Sequence, residues 1–256
     1  MSSAPPIGPM LAALQQALLK PTPHCDFGRW ALRIKPASAA SGDFASLWMD
    51  RDGKTLLGVL GDVSGHDDPA ALLALGAMGH LQQRRPRTPQ QTLTTLHELV
   101  VALQSAAFMT ALAFALRSDG QLELCSAGHP AAVVLQPPGS SRSLPEDSGE
   151  PLGLFADLEL APSSICTVQP GDRLLLLTDG LIERPGARAH AKMLSDTVLR
   201  RMAETGQSGR LAADADAIWS LLRAVNQRHQ PAPDDQSLLL LEYSGRGRAD
   251  AGMSAI

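Results

Sequence analysis

Two runs of four leucines constrain this chain most, because each lies within three residues of an aspartate. One lies in GDRLLLLTDGLIE (residues 171–183) and the other in DDQSLLLLE (residues 234–242). A continuous apolar run of this kind, with turn residues at its ends, reads as a strand buried on both faces. An aspartate at the mouth of such a strand is costly to desolvate unless positive charge meets it. The same juxtaposition recurs at SGD (41–43) and GDVSGH (61–66), with TDG (178–180) and PDDQ (233–236) completing the set. Four distant segments therefore each place an aspartate where an apolar strand begins or ends. A divalent metal cluster is the simplest common partner.

The remaining composition narrows the alternatives. At 256 residues the chain can bury a substantial core as one large domain or two small ones. Its formal charge of -4, from 22 basic and 26 acidic residues, gives no electrostatic case for nucleic acid or an acidic membrane. Arg84, Arg85 and Arg87 cluster in a Pro-containing loop and read as a solvated turn. Cys25, Cys125 and Cys166 are too few and too scattered for a zinc site or disulfide framework, which suggests reduced thiols. No apolar stretch reaches membrane-spanning length, and the N-terminus lacks a signal-peptide pattern. A soluble, cytoplasmic protein is expected.

Hydrophobic periodicity predicts a first helix over 9–20, strands over 30–34, 44–49 and 56–60, and helices over 70–83 and 89–105. Asp67 and Asp68 can cap the first of these two helices, with Pro69 in its first turn. Strands follow at 110–116, 121–126 and 131–136, and the polar stretch 137–150 reads as a surface loop. After the strand at 174–177 come helices at 189–204 and 210–228, then a last strand at 237–242. Hairpins and helix pairs in this order do not alternate as in a Rossmann sheet. They suggest antiparallel sheets flanked by helix pairs. The boundaries expected are a flexible 1–8, a single domain over 9–244 and a disordered 245–256.

Hard cations such as Mg²⁺ and Mn²⁺ take carboxylate, carbonyl and water ligands. Asp43, Asp62, Asp179 and Asp234 supply the carboxylates. Singly, each Asp-Gly pair reads as an ordinary turn. In order, the motifs GDVSGH, the Phe108-Met109-Thr110 strand entry, AGHP (127–130), PLGL (151–154), GDRLLLLTDGLIE and DDQSLLLLE resemble the PPM-type serine/threonine phosphatases. The similarity is to the SpoIIE branch found in bacterial regulators of sigma factors, and it runs over about 10–243.

The resemblance implies an α+β fold: an antiparallel β-sandwich with helix pairs on both outer faces and two Mn²⁺ or Mg²⁺ ions at one end. It implies that Asp62 bridges both metals, joined by the backbone carbonyl of Val63. Asp179 and Asp234 would bind the second metal, and Asp43 would act nearby, directly or through water. Asp62, Asp179 and Asp234 would be catalytic through metal-activated water, without a phosphoenzyme. Asp235 is the alternative to Asp234 if the alignment shifts by one. Ser64, Gly65, His66, Gly180 and Glu183 would lie close around the metals. His66 either hydrogen-bonds phosphate or is a structural loop residue, and His129 reads as structural. Gly65 and Gly180 would permit a tight turn or close approach, and Thr178 either orients Asp179 or ends a strand.

Three departures from the branch matter most here. SGDFAS stands where GGDFYD is usual, so Ser41 replaces Gly and Ser46 replaces Asp. Asp67 follows GDVSGH where Gly is usual. The implied substrate is a phosphorylated STAS-type anti-sigma factor antagonist, with a separate activator protein as a possible partner. The N-terminal helix is either packing surface or a dimer seam. A phosphatase fold that binds without turnover, and a metal-dependent nuclease, are the competing readings.

Overall fold

A computed structural model describes residues 7–19, 23–104, 106–136, 139–144, 147–182, 194–205, 208–226 and 234–245. The elements in chain order are α1 (Gly8–Leu19), β1 (Gly28–Lys35), β2 (Asp43–Met49), β3 (Thr55–Val63), α2 (Asp68–Arg84), α3 (Pro89–Ala102), β4 (Met109–Arg117), β5 (Gln121–Ala127), β6 (Ala132–Gln136), β7 (Ser140–Leu144), β8 (Ser164–Thr167), β9 (Arg173–Leu177), α4 (Asp179–Ile182), α5 (Asp196–Thr205), α6 (Leu211–Asn226) and β10 (Gln236–Tyr243).

The strands form two five-stranded antiparallel sheets. The first has the order β1-β10-β9-β6-β7 and the second β2-β3-β4-β5-β8. The two leucine runs are neighbours, with Leu238–Leu241 on β10 paired against Leu174–Leu177 on β9. Both strands are interior to their sheet and buried along their length, as the unbroken apolar runs require.

Alternation along the strands separates three apolar layers. Leu56, Leu60, Leu112, Phe114, Leu124, Val134, Leu174, Leu176, Leu239 and Leu241 fill the space between the sheets. Val59, Val63, Ala111 and Ala113 face the other way, onto Leu73, Met78 and Leu81 of α2 and Leu93 and Leu96 of α3. Leu175, Leu177, Leu238 and Leu240 meet Met202 of α5 and Ala215, Ile218 and Leu222 of α6. The result is the four-layer helix–sheet–sheet–helix arrangement expected. Each fully buried leucine contributes about 1.5–3 kcal/mol of transfer free energy, so these layers dominate folding.

Capping follows the sequence signals. Asp67 accepts the amide of Ala70 at the start of α2, and Thr88 accepts that of Gln91 at the start of α3. Asp67, one of the three departures, therefore has a local structural reason. Three elements were not anticipated. β7 lies within the stretch expected to be a loop, and β8 and α4 carry too little periodicity to be seen. The expected helix start at 189–193, Glu183 and both chain ends lie outside the described residues. Among the described residues no helix is long and apolar enough to cross a membrane.

Candidate active site

The antiparallel register builds the acidic site from strand ends. Asp43 at the start of β2 sits opposite Asp62 near the end of β3, and Asp62 in turn sits opposite Thr110 on β4. Asp179 follows β9 and Asp234 precedes β10, and pairing of those strands brings them to one end of the other sheet. The sandwich thus gathers aspartates from four separate segments at one edge.

At this edge the aspartates bear on one another. Burial, reinforced by the carboxylates of Asp43, Asp179, Asp234 and Asp235, pushes the Asp62 carboxyl far above the usual range. Burial also drives Asp43 upward, aided by Asp235 and Asp179 and opposed by hydrogen bonds from Ser237 and Thr178. Among the described residues, no lysine or arginine forms an ion pair with Asp43, Asp62, Asp234 or Asp235. Such an arrangement is unfavourable on its own and favourable around a cation.

The aspartates are not equivalent. Asp43 is buried, and its Oδ2 accepts hydrogen bonds from Thr178 Oγ1 at 3.0 Å and Ser237 Oγ at 2.6 Å. Its Oδ1 is buried without a hydrogen-bond partner. Asp235 spends both carboxylate oxygens on backbone, accepting from Ala37 and Gly42 at 2.6 Å each. That commitment separates it from Asp234, whose Oδ1 accepts the next amide in the chain at 2.9 Å. Asp62, Asp179 and Asp234 are each half-buried.

Among the described residues, no three carboxylate, imidazole or thiol groups already converge into a chelate. The donor chemistry nevertheless suits a hard divalent ion: several carboxylates, an orphaned buried carboxylate oxygen and the Val63 and Gly65 backbone carbonyls beside Gly42. Gly42 keeps space beside those carbonyls, since a Cβ there would lie 3.0 Å from both the Val63 and Gly65 oxygens. Gly65 takes a positive φ of 98°, which turns the chain sharply after Ser64. Gly180 allows the TDG turn to lie against the segment before β10, where a Cβ would come 2.0 Å from the Asp235 carbonyl oxygen.

Residues 52–244 match the family model described as Stage II sporulation protein E (SpoIIE). The chain belongs to the SpoIIE family. The match takes in Asp62, Asp179, Asp234 and Asp235 and begins after Asp43. The SiaA-PP2C domain of Pseudomonas aeruginosa resembles this SpoIIE-family chain with a TM-score of 0.73 at 19% identity, over 92% of this chain and 95% of that one. The RsbU and RsbW domains of Rv1364c from Mycobacterium tuberculosis give a TM-score of 0.70 at 23% identity, over 86% of this chain but 61% of that longer one. The catalytic domain of the serine threonine protein phosphatase PstP, in complex with 2 manganese ions, gives 0.57 at 17% identity, over 84% and 98%. The fold is that of the PP2C phosphatases.

Several neighbours of the SpoIIE-family acidic cluster have roles that sequence left open. Thr178 donates to Asp43, not to Asp179, and also accepts the Ser237 amide at 2.8 Å. Ser64 is held to the β4 entry: its Oγ accepts the Phe108 amide at 3.1 Å, which leaves it a structural tie. His66 is exposed, with its carbonyl accepting from Ser38 Oγ. His129 is buried, and its Nδ1 pairs with Thr110 Oγ1 at 2.9 Å. Burial pulls its pKa down to about 3, against a weaker opposing effect of the Leu177 backbone, so the ring is neutral. Gly42, Ser237 and Ala37 were not singled out. The signal for Ser237 was its place at the head of the leucine run, where a hydroxyl interrupts an apolar pattern. Ser41, the first departure, accepts the Asp43 amide on its Oγ at 3.1 Å.

Proposed function

We propose that this chain is a metal-dependent phosphoserine/phosphothreonine protein phosphatase, working with two Mn²⁺ or Mg²⁺ ions in cytoplasmic signalling. The observation that carries the reading is the gathering of five aspartates at one end of a PP2C sandwich, with burial and mutual repulsion raising the Asp62 carboxyl. Asp62 and the Val63 carbonyl would hold both ions, and Asp179 and Asp234 would hold the second. Bound there, the ions would neutralise phosphoryl charge and lower the pKa of water for in-line attack.

The chain's own residues do the positioning. Asp235 fixes the 37–42 segment through two backbone amides, and Thr178 and Ser237 fix Asp43 across the two sheets. Asp43 is thereby suited to an indirect role beside the ions. Neutral His129 holds Thr110 behind Asp62 without adding a positive charge.

By family, the proposed substrate is a phosphorylated STAS-type anti-sigma factor antagonist, with a separate protein as activator. Exposed Met10 and Leu14 on α1 support a contact for that activator or for a second copy. The test is dephosphorylation of phosphorylated STAS proteins from the same genome, with Mn²⁺ and with EDTA. Turnover that needs Mn²⁺ and disappears in Asp62→Ala and Asp179→Ala is expected. Activity confined to another phosphoprotein would overturn the sigma-pathway assignment and keep the chemistry.

A second reading, a phosphatase fold that binds its partner without turnover, is favoured by the inward hydrogen bonding of Asp43. Stoichiometric partner binding with no phosphate release at any Mn²⁺ concentration would select it.

A further inference from the structure

The exposed arginine loop, read from the sequence as a solvated turn, also borders a groove of about 720 Å³. Its walls include Arg51 from the β2–β3 turn, Arg84, Arg85 and Arg87 from the α2–α3 connection, and Gln90 and Gln91 from the first turn of α3. The groove opens at the Met49 end of β2, whereas Asp43 and the acidic site lie at the other end. Six strand residues at roughly 3.3 Å each separate the two by about 20 Å.

The charge in this groove is not balanced internally. Four arginines line it against two carboxylates, Asp50 and Glu98. Asp50 is already used: Arg87 grips it through Nε at 3.1 Å and Nη2 at 2.9 Å. Among the described residues, Arg51, Arg84 and Arg85 form no ion pair. Arg84 and Arg85 at the end of α2 suit the negative end of its dipole. That accounts for neither Arg51 on the opposite wall nor the shape of the loop.

The loop is also held rigid. Trp48 Nε1 donates to the Pro86 carbonyl at 3.0 Å, the Arg87 amide donates to Gln91 Oε1 at 3.0 Å, and the Arg85 amide donates to the Leu81 carbonyl at 2.9 Å. Arg85 itself occupies the left-handed region, with φ 47° and ψ 62°. Glycine is the usual residue at this helix end, and a side chain there is strained. Strained residues held by their surroundings cluster at ligand clamps.

We propose that this groove is an anion site, remote from the acidic centre, that takes a di- or triphosphate chain. Its volume is that of a small-ligand pocket, and planar guanidinium forks suit phosphate oxygens. The positive end of α3 adds to the attraction at Gln90 and Gln91.

Calorimetric titration of the full chain in EDTA with tripolyphosphate and with ATP tests the site. Saturable binding that weakens as salt rises is expected. Affinity should fall at least about tenfold in Arg84→Ala/Arg85→Ala, the loss of one charge-assisted contact or more. Arg85→Gly should melt higher than the parent, because the strain is relieved, and still bind more weakly. Tighter binding of ATP than of tripolyphosphate identifies a nucleotide as the source of the phosphates, and equal affinity identifies the phosphate chain itself. No saturable binding of either anion, or undiminished binding in both variants, overturns the proposal.

Discussion

Gln15 on α1 satisfies both backbone groups of Ser41: its amide nitrogen donates to the Ser41 carbonyl, and its carbonyl oxygen accepts the Ser41 amide at 3.1 Å. Both residues are buried. The first helix is therefore bonded to the residue whose hydroxyl receives the Asp43 amide. Gln15→Leu keeps the bulk but leaves two backbone groups buried without partners. We expect a loss of about 2 kcal/mol, measured by urea denaturation, together with weaker Mn²⁺ binding because the 41–43 segment is released.

Metal-free protein should lose stability as pH rises from 7 to 9. The Asp43 and Asp62 carboxyls have folded pKa values near 8 and 9 against an ordinary 3.8, so between those values the folded state binds more protons than the unfolded one. Stability then falls with rising pH across that window. His129, depressed to about 3 from 6.5, acts in the opposite sense but only below 6.5, where the unfolded ring takes up a proton. Thermal melts in EDTA at pH 7, 8 and 9 check the slope, and added Mn²⁺ should stabilise most at pH 9.

Asp62→Asn should separate folding from metal binding. At pH 8 Asp62 must take up a proton to sit among its four carboxylate neighbours, whereas Asn needs none, so the metal-free variant should melt higher than the parent at that pH. The same variant should lose most of the Mn²⁺-induced rise in melting temperature. A variant that melts lower than the parent in EDTA would show that Asp62 is stabilised by a partner other than a cation.

Gly180→Ala should disturb the site without touching a carboxylate. The new methyl would lie 2.0 Å from the Asp235 carbonyl oxygen and 3.2 Å from the Asp234 Cβ. Overpacking of this kind costs about 1–3 kcal/mol, and the two backbone segments must part. Denaturation should report that cost, and Mn²⁺ titration should report weaker binding from displaced Asp234.

The β-sandwich was legible because its strands are long, apolar and bounded by turn residues, as in the runs at 174–177 and 238–241. The acidic cluster was legible because aspartates at strand ends need a common reason. β7 was not: SSRSL is polar and lies at a sheet edge, where half-exposed side chains leave no apolar alternation. α4 is a single turn after β9, too short for any period. The division of labour among the aspartates was also hidden. Asp234 and Asp235 are adjacent and identical in type, and only the positions of the Ala37 and Gly42 amides distinguish them. Thr178 was a candidate partner for the aspartate beside it and instead reaches one 135 residues away.

β10 is the last strand among the described residues and lies between β1 and β9 in its sheet. Until residues 236–243 are made, β1 and β9 have no common neighbour, and Asp43 lacks the Ser237 hydroxyl. During synthesis the acidic end can therefore be completed only once residues 236–243 have emerged from the ribosome. A truncation removing the final strand would take away an interior wall of the sandwich, not a dispensable tail.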